Sequence, residues 1–140
     1  MKFKVFFISI FLLHSSFSFA ENTPLKVGDW IRVSEAKTGY ASVYIDKKNI
    51  VKRDGRLFFW LMTNMDMENS SDVNSVKELI VTDCKKPVSY ESLTKNFYEG
   101  FMASGNFIGE SSEDKGKIQY PIPNNFYGGA IDLICRTLMD

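Results

Sequence analysis

The feature that most constrains the fold is a pair of cysteines, Cys84 and Cys135, the only two in the 140-residue chain. Each stands at the end of a short apolar run, residues 79–84 and residues 130–135. In an exported protein, two cysteines in this arrangement most simply form a disulfide, which would fasten the C-terminal part of the chain to a buried strand. The alternative is a reactive thiol pair, but the sequence has no Cys-x-x-Cys spacing to support such chemistry.

The start of the chain has the three parts of a secretory signal peptide. Lys2 and Lys4 carry positive charge, residues 5–13 are apolar, and residues 18–20 form a small-residue cleavage motif. The apolar stretch is shorter than the about 20 residues that cross a bilayer, and no later segment is longer or more apolar. The pattern therefore predicts export with removal of residues 1–20, and no transmembrane segment.

The rest of the chain is predicted to be a loose leader, residues 21–28, followed by a single domain, residues 29–140. No cysteine precedes Cys84, so a lipid-anchor cysteine is not expected. We therefore expect the mature protein in the periplasm, secreted, or at the cell surface. The chain has 17 basic and 17 acidic residues, and this balance predicts no nucleic-acid partner.

Apolar runs separated by turn residues predict about six short antiparallel strands. The strongest local signal is Asp54-Gly55 between the apolar runs 50–51 and 57–62, because both turn residues tolerate the positive φ of a tight hairpin. In residues 40–46, apolar and polar side chains alternate, as in a strand with one buried face.

The second half of the chain continues this pattern and then changes to a helix. Strands are predicted at residues 88–93 and 97–108, where internal glycines suggest a curved sheet, and residues 109–119 are predicted to be a loop. A C-terminal helix is predicted after a cap at Asn124 or Asn125. Its buried stripe is expected to consist of Phe126, Ala130, Leu133 and Ile134. The predicted fold class is α+β, a curved antiparallel sheet of about six strands with one C-terminal helix tethered by the disulfide.

The residues left after export offer little catalytic chemistry. The only histidine, His14, lies in the predicted signal peptide, which removes His-based triads and His-ligated zinc. With both cysteines in a disulfide, the sequence predicts no catalytic residue, no metal site, no cofactor and no enzyme activity. The alternative that stays open is a pair of carboxylates across a cleft, drawn from Asp46, Glu78 and Asp83.

Positive charge gathers at the Asp54-Gly55 hairpin and its approach. The five residues are Lys47, Lys48, Lys52, Arg53 and Arg56. A basic hairpin of this kind can bind a sulfated polysaccharide or an acidic protein segment, so these residues are the candidate ligand-binding site. The alternative is that they keep a sheet edge from pairing with other chains.

Several short motifs follow one another in a characteristic order. They are Tyr44-Ile45-Asp46 followed by Ile50, the apolar strand with Trp60, Ser75 leading into Asp83-Cys84, residues 96–101, and a proline before a helix that ends Ile134-Cys135. In this order, over about residues 30–136, they resemble the surface-adhesin protein E family of Gram-negative bacteria.

The resemblance implies a small antiparallel sheet whose concave face holds a C-terminal helix through a Cys84–Cys135 disulfide. The best-known adhesin of that family is a surface lipoprotein that binds host proteins such as vitronectin and laminin and can dimerise. The expected function is therefore an exported non-enzymatic domain that binds a host extracellular-matrix or serum protein or an acidic polysaccharide. The alternative is a periplasmic structural or accessory protein that acts through a bacterial protein partner or through homodimerisation.

Overall fold

The computed structural model describes residues 29–37, 39–66 and 72–138, so the predicted signal peptide and leader lie outside the described residues. The described residues form seven strands and one α-helix. In chain order these are β1 (Trp30–Glu35), β2 (Ala41–Asp46), β3 (Val51–Arg53), β4 (Arg56–Met65), β5 (Ser75–Asp83), β6 (Ser89–Tyr98), β7 (Phe107–Ser111) and α1 (Phe126–Leu138).

All seven strands belong to one antiparallel sheet in the order β1-β2-β4-β5-β6-β7, with β3 paired to β4. Both β2 and β3 lie along the same side of β4. β2 pairs with residues 61–65 of that strand, and β3 pairs with residues 56–58. The predicted α+β class is confirmed, with seven strands where about six were expected.

A short 3₁₀ turn, Lys47–Asn49, separates β2 from β3 and is held by the buried side chain of Asp46. One carboxylate oxygen of Asp46 accepts hydrogen bonds from the backbone N–H groups of Asp29 and Lys48, both at 3.2 Å. The other oxygen accepts from the Asn49 side-chain amide at 2.6 Å. Because it satisfies backbone donors at a strand interruption, this carboxylate is a structural cap.

The hairpin predicted at Asp54-Gly55 is confirmed. Arg53 and Arg56 are paired across it, and the two turn residues have φ values of 52° and 74°. This two-residue turn requires positive φ at both positions, which asparagine, aspartate and glycine adopt most readily.

The predicted strand at residues 97–108 is wrong. β6 runs without a break from Ser89 to Tyr98, and β7 begins only at Phe107. The chain reverses between them through a second 3₁₀ turn, Phe101–Ala103, and the predicted loop at residues 109–119 starts three residues late because β7 continues to Ser111.

Side chains of neighbouring strands hold this reversal in place. The Asn64 side-chain oxygen accepts from the Met102 N–H at 2.8 Å, and the Ser75 hydroxyl accepts from the Ala103 N–H at 3.0 Å while it donates to the Gly100 carbonyl. These bonds come from β4 and β5, so the local pattern of residues 97–108 could not reveal them.

The core lies between α1 and one face of the sheet. Leu57, Phe59, Leu61 and Ile80 from the sheet pack with Ala130, Ile131 and Ile134 from the helix. In α1 the prediction of a buried Leu133 is wrong, since that residue is 38 % exposed and Ile131 is buried in its place. The two residues are about 200° apart around the helix axis, so only the rotation of the helix decides which one is buried.

The disulfide and an N-terminal cap fix both ends of α1. Cys135 is bonded to Cys84, just beyond the end of β5, with their Cα atoms 5.3 Å apart. The Asn125 side chain accepts from the backbone N–H groups of Tyr127 at 2.8 Å and Gly128 at 3.4 Å, which confirms an asparagine cap. Within the described ranges, no helix is both long enough and apolar enough to cross a membrane.

Candidate functional site

The structure divides the predicted basic cluster between the two faces of the sheet. Leu57 belongs to the core under α1, so its neighbour Arg56 lies on the opposite face, which we call the outer face. Arg53 is the direct cross-strand partner of Arg56 and therefore shares this face, whereas Lys52 is the partner of Leu57 and lies on the face that carries α1. The outer face thus brings together two of the five predicted residues.

The other two members of the cluster lie beside the hairpin and not on it. Lys47 and Lys48 are exposed residues of the 3₁₀ turn, where the Lys47 N–H donates to the Asp29 carbonyl at 3.0 Å. They border β3 at the same side of the sheet, so the positive charge extends around this edge.

The two outer-face arginines form no ion pair in the part of the chain that the structure describes. Arg56 stands opposite Asp83 of β5, but one oxygen of that carboxylate accepts from the Lys85 N–H at 2.9 Å and forms no ion pair with the arginine. Like charges in direct cross-strand positions destabilise a sheet, and the opposite charge of Asp83 across from Arg56 offsets part of this repulsion.

Next to the arginines, the outer face is apolar and aromatic. Val51 is paired with Phe58, and Trp60 is the next residue of β4 on the same face. Val51 is 50 % exposed, and the two aromatic side chains are half-buried. An antiparallel sheet usually carries polar residues on the face that no second layer covers. The uninterrupted apolar run at residues 57–62 was the available signal for this surface, because it supplies apolar side chains to both faces of β4.

The turn Phe101–Ala103 covers the far end of the outer face, at Asn64 and Ser75, while the hairpin end is left open. Between the two ends, the Lys77 ammonium lies 4.5 Å from the centre of the Trp60 ring. This cation–π contact holds Lys77 over the aromatic side chain. The open part of the face therefore begins at the two arginines and ends near Trp60.

A second polar cluster lies on the other face, beneath α1. The buried Glu78 carboxylate accepts from the Ser92 hydroxyl at 3.1 Å and from the Tyr127 hydroxyl at 2.8 Å. The Lys95 ammonium lies 3.3 Å from Glu78 and 2.6 Å from Asp114. These contacts join β5, β6, the loop after β7 and the helix.

The cluster shifts the acidity of its members. Burial, followed by the neighbouring Glu78, raises the pKa of Tyr127 well above its ordinary value of 10.0, and the same two causes raise the pKa of Tyr90. Partial burial lowers the pKa of Lys95, but its bonds and charge interactions with Asp114 and Glu78 outweigh burial and raise it overall above 10.5. The hydrogen bond from Lys95 lowers the pKa of Asp114.

The three carboxylates considered for catalysis do not face one another across a cleft. Asp46 caps the 3₁₀ turn, Glu78 is bonded beneath α1, and Asp83 binds a backbone N–H. In the ranges described, no three potential ligands from histidine, cysteine, aspartate and glutamate gather as a metal site would require.

Two clefts flank α1. One, of about 440 Å³, lies between the helix and the proline-containing segment before it, and its lining includes Tyr120, Ile122, Gly129 and Asp132. Gly128 packs so closely on the Ile122 backbone that a Cβ atom there would lie 2.7 Å from the Ile122 carbonyl oxygen. Another cleft, of about 510 Å³, lies between the helix start and the β1–β2 connection.

These features define a small, disulfide-linked α+β domain whose helix covers one face of a single antiparallel sheet. The chain belongs to the surface-adhesin protein E family, whose model matches residues 30–136. The resemblance inferred from the order of the sequence motifs is therefore confirmed.

Solved structures of protein E from Haemophilus influenzae share the fold. The selenomethionine form is 19 % identical and aligns over 76 % of this chain and 86 % of its own, with a TM-score of 0.53. A structure from the non-typeable form is also 19 % identical, covers 81 % and 79 %, and gives the same TM-score of 0.53. No curated protein sequence is significantly similar to this chain.

Proposed function

We propose that this chain is an exported, non-enzymatic binding domain that recognises an acidic ligand, either a host extracellular-matrix or serum protein or an acidic polysaccharide. The contact surface is the hairpin end of the outer face. The observation that carries the proposal is the cross-strand pair Arg53 and Arg56, which forms no ion pair with the described residues and borders an apolar surface.

Two further facts support this function. Membership of a family named for surface adhesion favours a role in attachment. The like charges of Arg53 and Arg56 also repel each other across the hairpin, and an acidic ligand would reduce that repulsion on binding.

The test is binding of the oxidised protein to immobilised vitronectin, laminin and heparin across a salt series. Binding should weaken as ionic strength rises, because the contact is electrostatic. A variant with all five basic residues replaced by glutamine should lose binding, and Arg53→Gln with Arg56→Gln should account for most of that loss. No binding at low salt, or binding that survives the fivefold replacement, would contradict the proposal.

The location of the native protein tests the biological context. Protease accessibility on intact cells should show the domain at the outer surface if it binds a host ligand. A protein that becomes accessible only after the outer membrane is opened would favour a periplasmic role instead.

A specific observation supports the alternative, assembly along a sheet edge. Among the described strands, β7 pairs only with β6, and its Phe107 and Ile108 are 56 % and 45 % exposed. Such an edge can pair with a second copy or with a bacterial partner. Light scattering during size exclusion should then show a dimer that Ile108→Lys converts to a monomer. A monomer at all concentrations, together with no partner in a pull-down from the source cell envelope, would exclude this alternative.

A further inference from the structure

The outer face carries charged side chains at one end and apolar side chains further along, at every second residue of each strand. Along β4, Arg56, Phe58 and Trp60 occupy successive outer-face positions, about 7 Å apart. Alongside them on β3, Arg53 is level with Arg56 and Val51 is level with Phe58. At one end of this surface the positive charges of Arg53 and Arg56 outnumber the negative charge of Asp83 on β5, and the next two positions along the surface are apolar.

The distribution of charge disfavours a sulfated polysaccharide as the occupant. A sulfated chain needs cations repeated along its length, but Lys52 lies on the opposite face, Lys47 and Lys48 lie beside the hairpin, and the Lys77 ammonium lies over the Trp60 ring. Between the two arginines and Lys77 this surface offers the apolar side chains of Val51 and Phe58, and a sulfated sugar gains no free energy by covering them.

A protein segment matches both parts of the surface. Carboxylates bind arginine in a bidentate manner, and apolar side chains gain free energy when they cover Val51 and Phe58. Because the turn Phe101–Ala103 closes the far end at Asn64, the open length between Arg56 and Trp60 fits about five extended residues.

We propose that the partner of this domain presents a short extended protein segment that carries an acidic side chain at one end and apolar side chains two and four residues away. The acidic group contacts Arg53 and Arg56, and the apolar groups lie on Val51 and Phe58 and next to Trp60, whose ring is in contact with the Lys77 ammonium. This inference rests on the proposed function and names the chemical class of its ligand.

The experiment compares three probes by NMR titration of a Trp30→Phe variant. Trp30 and Trp60 are the only tryptophans, so the variant leaves the Trp60 indole N–H as a single reporter on the surface. The first probe is a capped peptide of glutamate, serine, leucine, serine and phenylalanine. The second has the same composition with glutamate in the middle, and the third is a heparin hexasaccharide.

Four variants in this background separate the contributions of charge and apolar contact. Arg53→Gln and Arg56→Gln remove charge from the outer face, and Lys52→Gln removes the same charge from the neighbouring residue on the opposite face. Val51→Thr keeps the shape of an exposed side chain but makes it polar. Thermal melts of all four check that the fold is retained.

The first peptide should bind more tightly than the rearranged one and should shift the Trp60 signal. Each arginine replacement should weaken the affinity for the first peptide about tenfold, and Val51→Thr should weaken it about threefold. Lys52→Gln should change this affinity by less than about twofold.

Two results would overturn the inference but not the proposed function. One is binding of the hexasaccharide without binding of the first peptide, and the other is equal loss from Lys52→Gln and Arg53→Gln with no effect of Val51→Thr. If none of the three probes binds, and vitronectin and laminin do not bind either, both proposals fail.

Discussion

Gly128 and Gly129 occupy consecutive positions of α1 but have different surroundings. A Cβ atom on Gly128 would lie 2.7 Å and 2.9 Å from backbone atoms of Ile122, whereas nothing lies within 4 Å of one on Gly129. The first glycine is therefore required by close packing of the preceding segment on the helix. The second is an exposed helical glycine with no such contact among the described residues.

The two alanine substitutions should change stability in opposite directions. Gly129→Ala should raise the free energy of unfolding by up to about 1 kcal/mol, because alanine has the higher helix propensity. Gly128→Ala should lower it by about 1–3 kcal/mol, because the segment at Ile122 must move to relieve the clash. Urea denaturation of both variants measures the two changes in the free energy of unfolding. Equal changes of the same sign would contradict the argument that Gly128 is required by its packing on Ile122.

At the scale of one element, α1 depends on a bond at its far end. The Cys84–Cys135 disulfide closes a loop with a sequence separation of 51 residues. For a loop of this length the chain-entropy model gives a stabilisation of about 4 kcal/mol. The helix also contains Gly128 and Gly129, which weaken it, so the tether and the packing of Ile131 and Ile134 together hold it on the sheet.

Replacement of both cysteines by serine should lower the free energy of unfolding by about 4 kcal/mol or less. Hydrogen exchange should rise most in α1, while the amides of β4 and β5 in the centre of the sheet keep more of their protection. The double variant is preferable to a single one, which would leave a reactive thiol. An unchanged melting temperature relative to the oxidised protein would show that the bond does not stabilise the helix.

At the scale of the whole molecule, the Glu78 cluster links four separate parts of the chain. Tyr127 of α1, Lys95 of β6 and Asp114 of the loop after β7 are all connected through it. The pKa values of Tyr90, Tyr127 and Lys95 are all raised in the folded protein. As the pH rises past about 10, these groups therefore lose their protons at a lower pH in the unfolded chain than in the folded protein.

Stability should therefore fall at alkaline pH. Above about pH 10 the unfolded state binds fewer protons than the folded state, so the free energy of unfolding decreases as the pH increases. At a pH below the ordinary pKa values of Tyr90, Tyr127 and Lys95, their contribution to stability is fully present. Tyr127→Phe should make the alkaline decrease shallower, and at pH 7 it should cost about 1–3 kcal/mol because Glu78 loses a buried hydrogen-bond donor.

Urea denaturation at intervals from pH 7 to pH 11 measures this effect, with Tyr120→Phe as the matched control. Tyr120 is exposed and outside the cluster, so its replacement should leave the pH dependence unchanged. A stability that is constant up to pH 11 would contradict the contribution of the cluster.

Local sequence was sufficient to predict elements that depend on neighbouring residues alone. Asp54-Gly55 determined a hairpin because few residue types adopt its dihedral angles, and Asn125 capped α1 because its side chain reaches the first free N–H groups. The two cysteines determined the tether, because no other pairing within the chain is possible. The order of these cysteines and the other short motifs along the chain also indicated the family.

Tertiary structure decided the features that depend on residues far apart in the sequence. Asn64 and Ser75 placed the reversal after β6, and packing together with the Cys135 bond selected Ile131 over Leu133 for the core. Tertiary structure also decided how the candidate site is divided. Neighbouring residues of a strand lie on opposite faces, but only the register of β3 with β4 shows that Arg53 lies on the open face and Lys52 on the face with α1. The sequence by itself thus determined the hairpin, the start of the helix, the tether and the positive charge of the hairpin. Strand register decided which of those charges meet on the open face, and helix rotation decided which side chains of α1 enter the core.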